Sequence, residues 1–405
     1  KDLLPEGYTS VHSPNGIFSK EKDIMDVWFD SGSSFLGSDI ALNHPFPADV
    51  YFEGNDQYRG WYNSSMILYK QILTHGFIVD QNGEKFSKSK KNGIDPVTIC
   101  NQFGADILRL WTTSIDYTTA EIKLTQDLLK VCSDQYRKIR NTFKFMITNL
   151  DDDDENNHFD ISYQPATLSL VDEMMLNKFK AVLLDMKRGY DNYDFASVTN
   201  AVTNFFVNDL SSFYLDFKKD TLYCEAKDSK SRRDTQYVLY TIVKNLAIAY
   251  SPILAFTCEE IYRTIEVKDR KNSVALENYP NLGDVDEGLL EKYKTLLTLR
   301  DHVNLLIEPF RKDGVIGSSS EASISYLPQT KEEDALIRSF ASEDLVKILQ
   351  VSHFALGEAD NVMKHEGVKC DRCWNYFDDV ETDEEGHHLC KRCSEVVKNL
   401  TKEMK

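Results

Sequence analysis

Four cysteines near the C-terminus, Cys370-x₂-Cys373 and Cys390-x₂-Cys393, form two pairs sixteen residues apart. A Cys-x-x-Cys turn folds back on itself and offers two thiolates to one ion. Two such turns complete a tetrahedral S₄ site of the kind zinc occupies. All four positions are then filled by protein and none is left for a reactive water, so the implied Zn²⁺ is single and structural. Two redox pairs or disulfides are the rival reading. The other four cysteines, Cys100, Cys132, Cys224 and Cys258, are scattered singly as in reduced proteins, which favours the metal.

A second cluster with chemical potential is Lys85-Phe86-Ser87-Lys88-Ser89, which follows an apolar run, Gly76 to Asp80, and an Asn82-Gly83 turn. Two lysines three apart on a loop of small serines can wrap a polyphosphate, because an ammonium is a compact charge that needs no fork geometry. A solvated basic loop is the plain alternative. Glu53 closes another short strand, Asp49 to Gly54, where a carboxylate suits a cationic ligand or, more plainly, a strand-end salt bridge. Trp28 and Trp61 read as core by default.

These residues need elements to position them. Residues 1–120 carry Gly and Pro punctuation and short apolar runs, which is α/β patterning. From about residue 125 the period becomes helical. Stripes run Leu128 to Leu150, Val171 to Met186, Phe195 to Phe217 (broken at Asp209), Leu239 to Ile253 (kinked at Pro252) and Leu289 to Phe310. Such a series predicts a bundle. Asp151 to Glu155 reads as a solvated acidic loop, and strands return at Ser323–Leu327 and Ile348–Phe354. The expected fold class is α/β, then an all-α bundle, a small α/β region and a zinc module, with domains 1–120, 121–310, 311–365 and 366–405.

The 405 residues are 41% hydrophobic with a formal charge of −18. That charge excludes a blanket nucleic-acid coat but not a local basic patch, since fields are screened within about 8–10 Å. No apolar run approaches the ~18 residues of a membrane span. A cytoplasmic, non-membrane protein is expected.

The run Asn82 to Pro96 resembles the KMSKS loop of class I aminoacyl-tRNA synthetases, and Gly104 to Trp111 looks like the helix behind it. Asp26 to Ser34 and Tyr51 to Tyr62 resemble two active-site segments of the isoleucyl, valyl and leucyl subgroup. The four-cysteine site, with Trp374-Asn375-Tyr376 inside it, is similar to that of bacterial-type isoleucyl-tRNA synthetases, as are Arg137 to Thr142 and Val315 to Gly317. The resemblance implies the second half of a Rossmann-type catalytic domain, then a stem-contact and anticodon-binding bundle. The activity implied is ATP-dependent formation of isoleucyl-AMP, with Mg²⁺, and transfer to tRNA(Ile), usually by a monomer. On this resemblance Lys88 holds ATP phosphates as pyrophosphate leaves and Lys85 assists, flanked by Ser87 and Ser89. Glu53, Gly54, Asp56 and Gln57 face the aminoacyl-adenylate, and Trp28 and Trp61 line the aliphatic pocket. Arg137, Lys138, Arg140 and Lys144, Arg232-Arg233 and Lys268 to Lys271 are candidate phosphate contacts.

The sequence also departs from the family. None of its nine histidines lies in a His-x-Gly-His context, and the chain starts at Lys1. The expectation is a C-terminal portion, without the HIGH half and the editing domain, that needs its missing N-terminal half for activity; a non-catalytic tRNA-binding fragment or paralogue is the alternative. Only thirteen residues separate Trp61 from His75, near the minimum for a parallel crossover, so either the connecting helix is trimmed or the strand order is disturbed. Phe86 stands where Met is usual, and Lys90-Lys91 where Leu-Gly is typical.

Overall fold

Parallel strand pairing reached through a short crossover organises the first part of the chain. The computed structural model describes residues 4–43, 47–65, 69–87, 89–151 and 159–403. It divides into two units, residues 1–93 with 117–124, and residues 94–116 with 125–405.

In the first unit, Asp26 opens helix α1 (Val27–Leu42) by accepting the Trp28 N–H at 2.8 Å. Strand β1 (Ala48–Gly54) runs into a 3₁₀ turn (Asn55–Arg59), helix α2 (Trp61–Ser65) and strand β2 (Tyr69–His75). β2 lies parallel to β1, from Ala48 opposite Tyr69 to Gly54 opposite His75. The connecting helix α2 is five residues long and the parallel pairing is kept; residues 66–68 of this connection lie outside the described residues. The Tyr62 hydroxyl, on α2, is within 3.3 Å of the Glu53 carbonyl and 3.1 Å of the Leu73 carbonyl, tying the helix across both strands. Gly76 turns the chain into β3 (Phe77–Val79), which pairs parallel with β4 (Glu121–Lys123). A Cβ on Gly76 would lie 1.8 Å from the Thr119 carbonyl oxygen, so only glycine fits. β2 and β4 were not expected from sequence. Lys70, Gln71 and Thr74 dilute the apolar signal of β2, and three residues are too few to give β4 a period.

The second unit begins at α3 (Pro96–Phe103), where Asp95 accepts the Thr98 N–H and Pro96 takes the first helical position. In α4 (Ala105–Thr113) the buried Asp106 carboxylate accepts the backbone N–H groups of Phe256 and Thr257, at 3.2 and 2.7 Å, and the Thr257 hydroxyl at 2.6 Å. Arg109 donates to the carbonyls of Pro252 and Ile253. These bonds group residues 94–116 with the helices, so the boundary expected near residue 120 is not a single cut.

The helical stripes become α5 (Gln126–Thr148), α6 (Leu170–Asp191), α7 (Phe195–Asn204), a π-helical stretch (Phe205–Tyr214), α8 (Leu215–Cys224), α9 (Lys230–Tyr250), α10 (Ala255–Thr264) and α11 (Glu287–Lys312). Val171, Met175, Phe179, Val182 and Met186 of α6 are all buried, as the stripe predicts. The third stripe does not break at Asp209. Three successive steps of four would drift around an α-helix, and the wider π turn takes up the drift. Phe205, Asp209, Phe213 and Phe217 are all buried. Asp209 accepts the Tyr293 hydroxyl at 2.7 Å, and burial raises its carboxyl above the usual range. At Pro252 the chain does more than kink. α9 ends at Tyr250 and a new helix begins at Ala255.

Beyond α11, β5 (Ala322–Tyr326), α12 (Lys331–Ser339), α13 (Ser342–Leu349), β6 (His353–Leu356) and β7 (Asn361–Lys364) make a small sheet in the order β6-β5-β7 with two helices. The strand expected from Ile348 starts only at His353, because α13 runs through Leu349 and stops at Gln350, whose φ of 57° is left-handed. The tail holds two short hairpins, β8 (Val368–Lys369) with β9 (Tyr376–Phe377) and β10 (Glu381–Thr382) with β11 (His388–Leu389), then α14 (Lys391–Glu403). Of the acidic run, residues 152–155 lie outside the described residues. Among the described residues no helix is long and apolar enough to cross a membrane.

Asp106→Ala leaves the α10 N-terminus without its acceptor and is expected to destabilise the helical unit by about 2 kcal/mol, read by urea denaturation followed by far-UV circular dichroism.

Candidate ligand cradle and metal centre

The end of β1 carries four candidate residues in sequence. Glu53 and Gly54 pair with Thr74 and His75, and the 3₁₀ turn that follows holds Asp56 and Gln57. A Cβ on Gly54 would lie 2.7 Å from the Asp56 carboxylate, so the glycine lets that side chain fold back on the strand end. Trp28 approaches from α1, and its ring lies against Gly60, where a Cβ would meet it at 3.1 Å. Trp61 meets Tyr51 edge-on at 5.4 Å between centroids. Gln57 Oε1 is buried and has no donor among the described residues. A buried amide oxygen without a partner is costly unless a water or a ligand supplies a donor.

The basic loop leaves β3 through a turn built by Asp80, whose carboxylate accepts the Asn82 and Glu84 N–H groups, both at 2.9 Å. Asn92 closes the loop. It donates to Asp80 Oδ2 at 3.0 Å and accepts the Ser87 N–H at 3.0 Å. The Asn92 bond, ahead of the Glu84 N–H, holds the Asp80 carboxyl below its ordinary value. Lys85 pairs with Val79 and lays its ammonium 3.1 Å from the Phe77 ring centroid. The Ser87 and Ser89 hydroxyls are 2.8 Å apart. Lys88 lies outside the described residues. Sequence reading overlooked Asn92, although it belongs to the run that carried the resemblance.

In the tail, Cys370, Cys373, Cys390 and Cys393 place all four sulfurs within 4.8 Å of one another. A Zn–S bond of about 2.3 Å implies a tetrahedral edge of about 3.8 Å, so the cage fits the ion. Cys370 and its turn are held by Cys370 N–H to Asn375 O and Trp374 N–H to Cys370 O, both 2.9 Å, with Trp374 at φ 63°. The Cys390 N–H points to Cys370 Sγ at 3.3 Å. Hydrogen bonding from Cys224, then Cys373 and Cys390, holds the Cys393 thiol far below the ordinary range, favouring a thiolate. Cys224, one of the cysteines read as scattered, is in fact buried against this cluster.

Of the basic candidates, Arg140 is engaged bidentately by Glu260 at 2.9 Å, and Arg137 by Asp134 at 3.0 Å. Arg232 is buried and donates to the Leu222 carbonyl, and Arg270 donates to the carbonyls of Arg263 and Ile265. Lys138 and Lys144 are exposed and have no ion pair among the described residues.

Three family profiles match this chain. They are tRNA synthetases class I (I, L, M and V) over residues 1–125, the anticodon-binding domain of tRNA ligase over 172–326, and a zinc finger found in FPG and IleRS over 367–396. Isoleucine–tRNA ligases of Staphylococcus aureus strains JH9 and Newman are each 43% identical over 424 residues, covering 99% of this chain and 45% of the relative. The chain belongs to the isoleucyl branch of the class I tRNA synthetases.

This synthetase chain thus spans about half the length of the curated relatives it matches. A LeuRS of Agrobacterium radiobacter K84, solved in a ternary complex with tRNA and LeuAMS, is similar in fold with a TM-score of 0.50 at 18% identity, over 67% of this chain and 35% of that one. Within the synthetase loop, Lys90 pairs with Glu84 at 3.1 Å across the turn, and Lys91 occupies a left-handed φ of 53°. That is the position where the resemblance sets glycine, which takes this conformation without strain.

Asn92→Ala releases the Ser87 N–H and the Asp80 carboxylate together. Tryptic cleavage after Lys85, Lys90 and Lys91 is expected to accelerate severalfold, with cleavage in α5 unchanged, as followed by peptide mapping.

Proposed function

We propose that this chain provides the adenylate cradle, the RNA-binding bundle and the metal module of an isoleucine–tRNA ligase, its first unit being the second half of a Rossmann-type catalytic fold. The observation that carries this reading is a similarity of 43% identity spread over 99% of the chain, through the basic loop, the bundle and the cysteine cage alike. The buried, unpartnered Gln57 oxygen and the Glu53 carboxylate on the strand before it support this reading, since both suit the cationic and N–H-bearing groups of an amino acid and an adenylate. In this reading the carboxylate of isoleucine attacks the α-phosphorus of Mg²⁺-bound ATP, and pyrophosphate leaves with the electron pair of the bond that breaks. Glu53 orients the substrate ammonium. Lys88 and Lys85 meet the charge growing on the leaving phosphates, an interaction stronger in the transition state than in the ground state. Trp28 and Trp61 would border the aliphatic side chain. The aminoacyl group then passes to a terminal ribose hydroxyl of tRNA(Ile), held along the bundle. Zn²⁺ stabilises the tail's fold, and the four cysteines hold it.

The sequence contains no His-x-Gly-His signature, so the exchange assay supplies the N-terminal half of a relative in trans. Isoleucine-dependent ATP–pyrophosphate exchange is expected from the pair, and Lys88→Ala is expected to lower it by about 10²–10³-fold, Lys85→Ala by less. A folded pair without exchange, or no loss in Lys88→Ala, sinks the catalytic reading. For the RNA role, Lys138→Ala with Lys144→Ala is expected to reduce the salt slope of tRNA binding by about 2, read by filter binding across a salt series.

A further inference from the structure

The end of helix α8 and the cysteine cage share an interface built from charges. Arg392, next to Cys393, donates both terminal nitrogens to the Asp220 carboxylate at 2.6 Å, and also reaches Glu225 at 2.9 Å. Its Nη2 lies 4.0 Å from Cys393 Sγ. Arg372, inside the first Cys-x-x-Cys, donates to the Cys224 carbonyl at 2.5 Å and to that of Tyr223 at 3.2 Å. These carbonyls close the last turn of α8 and would otherwise lack partners, and two arginines also suit the negative end of the helix. Cys224 itself is packed into the cage. Its S–H donates to the Arg372 carbonyl oxygen at 3.7 Å, and its side chain packs among the cage cysteines, Cys393 included.

Four thiolates around Zn²⁺ carry a net formal charge of about −2, so their sulfurs need outside donors. A metal-bound thiolate is a stronger acceptor than a neutral carbonyl. We infer that the C-terminal turn of α8 is the outer sphere of the metal centre: Cys224 donates to the Cys393 thiolate, Asp220 and Glu225 hold Arg392 against the same sulfur, and metal retention is thereby coupled to docking of the tail on the bundle. Asp220, Glu225 and Cys224 are positioning residues that act through Cys393. Because coupling is reciprocal, the metal stabilises the end of α8 as much as α8 retains the metal.

This inference rests on the metal reading, and the experiment separates the two. Native mass spectrometry of the full chain should find one zinc; a metal-free parent that also fails to take up Co²⁺ overturns both. With a metal-loaded parent, Asp220→Asn and Cys224→Ala should each speed zinc transfer to a colorimetric chelator by about tenfold. Cys224→Ser, which keeps a donor, should stay near the parent. In the Co²⁺-substituted protein both faster variants should shift the thiolate-to-metal charge-transfer band, a signature that a purely structural contact would leave in place. Chelation of the parent should raise amide exchange at residues 221–225 while the centre of α9 stays protected. Release rates within about twofold of the parent together with an unmoved band, or an α8 end indifferent to chelation, overturn the inference and leave the metal reading intact.

Discussion

Helix ends, rather than helix faces, decide what docks on the bundle. Every helix leaves backbone N–H groups free at its start and carbonyls free at its finish, and burying them unpaired is costly. The start of α10 is closed by Asp106, the break after α9 by Arg109, and the end of α8 by Arg232, Arg372 and Cys224's neighbourhood. Residues 94–116 and the cysteine module join the bundle through these closures. The closures by Asp106, Arg109 and Arg372 each join residues more than 140 apart in sequence, which is why local patterning did not reveal them.

The same logic governs the buried charges. Asp172 accepts the Tyr214 hydroxyl at 2.7 Å and faces Lys218 at 2.7 Å, and Asp234 accepts from Tyr163 at 2.6 Å. Such pairs contribute little net stability when complete, but removing one partner costs about 3–5 kcal/mol. They fix which helix faces meet in a core otherwise made of interchangeable Phe, Met and Leu. The cations used inside, Arg232 and Lys218 among them, are not available to a ligand. A basic residue in the sequence is therefore a poor guide to an RNA contact until its burial is known.

In the first unit, the crossover from β1 to β2 is short, yet the parallel register is held by six residue pairs and by Tyr62 spanning both strands. Glu53, Asp56 and Gln57 are consequently placed by a strand end and one turn of 3₁₀ helix, a rigid mounting. The basic loop is mounted differently, on side chains: Asn92 ties the Asp80 carboxylate to the Ser87 N–H, and Lys90 reaches Glu84 across the turn.

The helices of the bundle, the Asn-Gly turn, the basic loop and the cysteine cage were legible in the residues themselves, because period, turn chemistry and ligand spacing are properties of neighbours along the chain. What the tertiary structure alone decided was partnership. Asp209 stays on its stripe only because a π turn absorbs the drift, Ile348 is helical because α13 ends at Gln350, and the polar-diluted β2 becomes a strand by pairing with β1. Cys224, solitary in sequence, joins the cage because α8 ends there. Local spacing fixes what a residue can do, whereas long-range packing selects which desolvated group it must satisfy.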